Sequence, residues 1–166
     1  MKKLIILLLM VLPLSVFAQE LKIAYVNTQE LITALPDFTS MQKQLADMDA
    51  KYQSELKVMQ DEYDKKYTAF VAEQDSLTEN IKMRRMQDIQ DLQERTTNFV
   101  QIARQDFEKK QQELFVPIQD KVKKAIKAVG DEKGYTYIID NNPQVVLYTG
   151  TASVDATPLV KAKLGI

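Results

Sequence analysis

Apolar residues recur with a fixed step through the middle of the chain. Met41, Leu45, Met48, Tyr52, Leu56, Met59, Tyr63, Tyr67 and Phe70 are spaced by four, three and four. Farther on, Ile89, Leu92, Thr96, Val100, Ala103, Phe107, Gln111, Leu114, Ile118, Val122, Ala125 and Val129 are spaced by three, four and four. Both series repeat every eleven residues, about 3.67 residues per turn, which predicts helices meeting along a nearly straight or slightly right-handed seam. The eighty residues from Asp37 to Val116 hold neither glycine nor proline and are rich in Lys, Glu, Gln, Leu and Met, good helix formers.

The pattern lapses between Gln74 and Arg85, where Asp75, Ser76, Thr78 and Asn80 supply capping and turning side chains. This places a hairpin tip near residues 76–80, midway along the stretch. Each arm of about 40 residues then measures roughly 60 Å, too long for a compact core, so the hairpin must project.

The flanks change period. Leu21 to Asn27 reads as a strand, followed by a short helix opened by Asn27 and Glu30 as a capping-box pair and closed by Pro36. A helix through Val122 to Val129 ends near Gly130 and Gly134. Tyr135 to Asp140 and Gln144 to Thr149 read as two strands joined by an Asn141-Asn142-Pro143 turn, and Asp155 caps a terminal helix beginning near Pro158. The predicted class is α+β, with a hairpin arm at 37–116 on a discontinuous β-rich body made of 19–36 and 117–166. So small a body with two long arms calls for partner subunits. Leu21, Ile23, Tyr25, Tyr137, Ile139, Val145 and Leu147 are the candidate oligomerisation residues, because the strands are apolar on both faces and one face needs a cover.

Composition narrows the function. Residues 1–18 show Lys2 and Lys3, an apolar run from Leu4 to Leu12, and small residues before Gln19, the pattern of a cleaved export signal. The apolar run is about half of what a membrane span needs. The expectation is a soluble periplasmic protein. With no Cys and no His, the usual thiol and metal sites are excluded, and no glycine-rich phosphate loop is present. Removing Lys2 and Lys3 from the 22 basic residues leaves 20 against 23 acidic ones, the wrong balance for nucleic acid. No catalytic constellation, cofactor or metal is expected. The acidic pairs read as the solvated face of long helices, as in Glu62 and Lys66 four residues apart.

The two ends carry a resemblance. KIAYVNTQELITALPD (Lys22 to Asp37), VPIQDKVKKAIKAVGDEKGYTYIID (Val116 to Asp140) and DATPLVKAKLGI (Asp155 to Ile166) resemble the opening strand and helix, the return helix with its G-Y-x-x-I-x-D strand, and the D-x-T-P terminal helix of the Skp/OmpH family of periplasmic chaperones. The resemblance implies a homotrimer whose three chains share a β body, with three arms enclosing a cavity that holds unfolded outer-membrane β-barrel proteins without ATP. It also implies a basic arm tip able to meet lipopolysaccharide or anionic membrane. Here Lys82, Arg84 and Arg85 stand among Glu73, Asp75, Glu79 and Asp88, which argues against that contact.

Val58, Val71, Met83, Met86, Phe99, Ile102 and Phe115 are surplus apolar residues that fall off the seam. They are the candidate client surface, since methionine and aromatic side chains adapt to many partners. A structural tether that binds one folded envelope partner is the competing reading, and periodicity alone favours neither.

Overall fold

A computed structural model describes residues 21–166; the export-signal reading of 1–18 lies outside them. Strand β1 (Ile23–Val26) leads into helix α1 (Thr28–Ala34), and helix α2 (Pro36–Glu73) runs out to a 3₁₀ turn at Gln74–Ser76. Helix α3 (Glu79–Lys133) returns, followed by strands β2 (Tyr137–Asp140) and β3 (Val154–Asp155) and helix α4 (Thr157–Leu164).

Local chemistry sets the element ends. Asn27 Oδ1 accepts the Glu30 amide at 3.0 Å, opening α1. The reciprocal half of the predicted box is replaced by tertiary contacts: the Asn27 amide donates to Thr157 Oγ1, and Glu30 pairs with Lys161. Pro36 starts α2 at a position where its missing N–H costs nothing. Gly134 closes α3 at φ 66°, a conformation that disfavours any residue with a Cβ. Asp155 lies in β3, and its Oδ1 accepts the Thr157 amide at 2.9 Å, so it opens α4 from one residue before the cap.

The chain turns at 74–78, about two residues before the predicted tip. The expected boundary between arm and body at 116–117 is no break in the helix: α3 continues through Pro117, for 55 residues in all. Proline removes one backbone donor and crowds the preceding turn. Its neighbours compensate, because Ile118 and Val122 are buried in the body while Pro117 itself is exposed. One rigid helix therefore belongs to both arm and body.

The three strands form a parallel sheet in the order β2-β1-β3. Ile23 pairs with Tyr137 and Tyr25 with Ile139. The whole hairpin is thus an excursion between two neighbouring strands. Ala24 and Val26 face inward and join Leu31, Leu35, Ile118, Val122, Val129 and Val160 in one core that also takes Met41 and Leu45 at the arm's root. Thr28 ties β1 to β2 through Asp140, with Oγ1 donating to Oδ2 at 2.6 Å.

The predicted third strand at 144–149 is not one. Within this chain the segment is a turn followed by irregular backbone, with Val145 and Val146 amides donating to Asn142 O, and β3 forms instead at Val154–Asp155. Alternation of apolar residues signals a strand only where a ladder partner is available. Both neighbours of β1 are already occupied.

Candidate functional site

Two surfaces stand out, one on the body and one on the arms. On the body, Ile23, Tyr25, Tyr137 and Ile139 share the sheet face opposite the core, as the period of two requires. A parallel sheet is normally covered on both sides. Here Tyr137 is 61% exposed and Ile139 43%. Leu21, Val146 and Tyr148 reach over the same face and enclose with Ile23, Tyr25 and Ile139 a hollow of about 340 Å³. The segment that overhangs it is the most exposed apolar stretch of the body: Leu147 is 93% exposed, and Val145 and Tyr148 are exposed as well. Of the seven predicted oligomerisation residues, five lie on or beside the sheet and two, Val145 and Leu147, lie exposed on the irregular segment.

On the arms, the seam closes only at its ends. Met41, Leu45 and Ile118 are buried near the root, and Ile89 and Leu92 toward the tip. Between them Met48, Leu56, Met59 and Tyr63 are half-buried and Val100 is exposed, and Tyr67, level with Ile89 and Leu92, is exposed as well. Two helices share only one line of contact, and no third element covers it. A hollow of about 420 Å³ opens there, lined by Tyr52, Leu56, Phe99, Val100, Ala103 and Phe107 with polar residues at its rim.

The off-seam residues divide. Val58, Val71, Met83, Met86 and Ile102 are exposed. Phe99 packs edge-on against Tyr52 across the hairpin, with ring centroids 5.8 Å apart, and Phe115 packs against the body core. At the tip Arg85 is engaged by Glu73 at 2.7 Å, while Lys82 lies 3.9 Å from Glu79; Arg84 is exposed. Sequence reasoning placed Tyr52 in the seam core and missed its polar role: its hydroxyl reaches Asp106 Oδ2 at 3.3 Å.

Desolvation, reinforced by the Asp106 charge and hydrogen bond, raises the Tyr52 phenol above the ordinary tyrosine range. A raised value favours the protonated form in the folded arm. The cross-arm tie is thus complete below the unfolded tyrosine value and lost as pH climbs through the folded one. Alkaline titration followed by tyrosinate absorbance should show one late-ionising group that disappears in Tyr52→Phe; an unchanged titration curve would contradict the tie. Glu62 shifts the other way, held below the usual carboxylate range by its hydrogen bond to Lys66 and then by the Lys66 and Arg95 charges.

Among the described residues no cluster of ligating side chains could hold a metal, and no helix is long and apolar enough to cross a membrane. The geometry defines a two-helix arm rooted in a small parallel-sheet body with one uncovered face. The chain belongs to the OmpH-like family of outer membrane proteins, whose pattern it matches over residues 22–164. Comparison with curated proteins gives no match. Among solved structures it is similar to an OmpH-like protein from Caulobacter crescentus described as a candidate outer membrane chaperone. The TM-score is 0.73 at 14% identity, covering 86% of this chain and 82% of that one. At that identity the likeness speaks for the fold.

Proposed function

We propose that the protein is an ATP-independent periplasmic holdase, a homotrimer that keeps unfolded outer-membrane β-barrel proteins soluble between its arms on the way to the outer membrane. Membership of the OmpH-like family supports a chaperone role without catalysis. The observation that carries the rest is the pairing of an uncovered apolar sheet face with a projecting arm whose seam stays partly open. The first feature calls for further subunits around the sheet. In a trimer the exposed Val145 to Tyr148 segment gains the ladder partners it lacks within one chain, and three arms leave from one end of a shared β body.

The arms then act by mass action. Binding the unfolded chain lowers its free concentration and hence its rate of aggregation, and release follows when the client folds or is passed on. Many weak contacts suit a client that must stay unfolded. Lys82, Arg84 and Arg85 are not assigned a lipid contact, because acidic neighbours engage two of the three.

Light scattering of a urea-unfolded barrel protein diluted into buffer tests the reading. The chaperone should suppress scattering with no nucleotide present and should not bind the same barrel once folded. Aggregation that proceeds as without it would contradict the holdase reading and favour a tether.

A further inference from the structure

The two broad flanks of the hairpin differ in chemistry. With a repeat of eleven residues in three turns, each residue advances about 98° around its helix, so each position has a fixed angle from the seam. In an antiparallel pair, equal angles on the two helices lie on the same flank of the hairpin. One flank carries Glu55, Glu62 and Lys66 from α2 and Asp88, Asp91 and Arg95 from α3. The other carries Gln53 and Gln60 from α2 and Gln90, Gln93, Gln101 and Gln112 from α3, all exposed.

Cross-hairpin contacts agree with this division. Lys66 shares one hollow with Asp88, Asp91 and Arg95, whereas Gln53 shares another with Arg104, Glu108 and Gln111. Charges on the amide flank are sparse and partly answered within it: Arg104 Nε pairs with Glu108 at 3.3 Å, and Gln60 donates to Asp64 at 3.0 Å, leaving Asp49 and Lys57 as its other mid-arm charges. The exposed Val71 and Met86 belong to this flank, and Phe115 continues it toward the body. Val58 and Ile102 belong to the charged one.

We infer that the amide flank, and not the charged flank, is the surface that receives unfolded polypeptide. This inference rests on the holdase reading and narrows it. An unfolded chain presents unpaired backbone N–H and C=O groups beside apolar side chains. A glutamine amide donates and accepts at once, so it can meet either backbone group in any register. Covering it costs far less than stripping water from a carboxylate or ammonium group. The apolar hollow at Leu56, Val100 and Phe107 opens beside these amides and takes the side chains. Solvated ion pairs on the other flank keep that side in water.

The test uses the full mature chain with a urea-unfolded outer-membrane barrel. The triple variant Gln53→Glu, Gln93→Glu, Gln101→Glu keeps helix propensity nearly unchanged. The control Lys51→Gln, Lys66→Gln, Arg95→Gln makes the same net-charge change on the charged flank. The first should weaken client binding about tenfold or more, from the cost of covering charge, while the control stays within about twofold. A photo-cross-linking residue at Gln93 or Gln101 should capture the client, and one at Glu55 or Asp91 should not. Equal weakening by both triples, no weakening by either, or capture from the charged flank would overturn the inference while leaving the holdase reading in place. Cross-links from Gln93 to a second copy in the absence of client would overturn it by assigning that flank to assembly. A wild-type chain that fails to hold the barrel at all would sink the holdase reading itself.

Discussion

Replacing Leu147 by aspartate is expected to leave a folded chain that no longer assembles. Leu147 is 93% exposed and contributes nothing to the core of its own chain, so circular dichroism should show the fold retained, while the urea midpoint falls only by the share that assembly contributes. In the proposed trimer the same residue enters an apolar contact with a neighbouring subunit, next to Val146 and Tyr148, which line the hollow over the sheet face. A carboxylate buried there without a partner is costly enough to weaken association by about a thousandfold, roughly 4 kcal/mol. Sedimentation should therefore show wild-type trimer and variant monomer at the same concentration. A variant that stays trimeric would remove the 145–148 segment from the interface.

Leu31→Ala should act in the opposite way, on folding. Leu31 is fully buried where α1 meets β1 and the body end of α3. Truncation there loses transfer free energy and leaves a cavity walled by the sheet and helices, which relax only partly, so a loss of about 2–5 kcal/mol is expected. For a body this small that is a large share of total stability. Val58→Ala, at an exposed arm position, should cost no more than about 0.5 kcal/mol. Comparable losses in urea unfolding for the two variants would mean that the core is not where the buried residues place it.

The arms were legible because their signal is local. The eleven-residue spacing depends on nothing beyond helix geometry, and it runs through both long helices of the structure. Asn27 as a cap was equally legible. The same spacing runs past Pro117 to Val129, but the proline stood at the expected arm boundary, and whether a proline ends a helix depends on packing at residues such as Val122 and Val129. The parallel order of strands was not legible: β1 and β2 are neighbours in space but separated by more than a hundred residues, and their alternation is the same in either orientation. Gln144 to Thr149 carries a strand's apolar pattern without a partner in its own chain. Among the candidate client residues, Phe99 and Phe115 turned out to be engaged by Tyr52 and by the body core, contacts set by the angle between seam and side chain rather than by spacing. The two flanks of the arm follow from the same spacing once the two helices are known to pair along their seams, which is what separates Val71 and Met86 from Val58 and Ile102.

The proposed assembly holds an unfolded client without an energy source. Native mass spectrometry of the mature chain mixed with a urea-unfolded outer-membrane barrel, in the absence of nucleotide, tests it most directly. A trimer carrying one unfolded barrel is expected; a monomer, or a trimer that remains empty beside aggregated barrel, would contradict the proposed function.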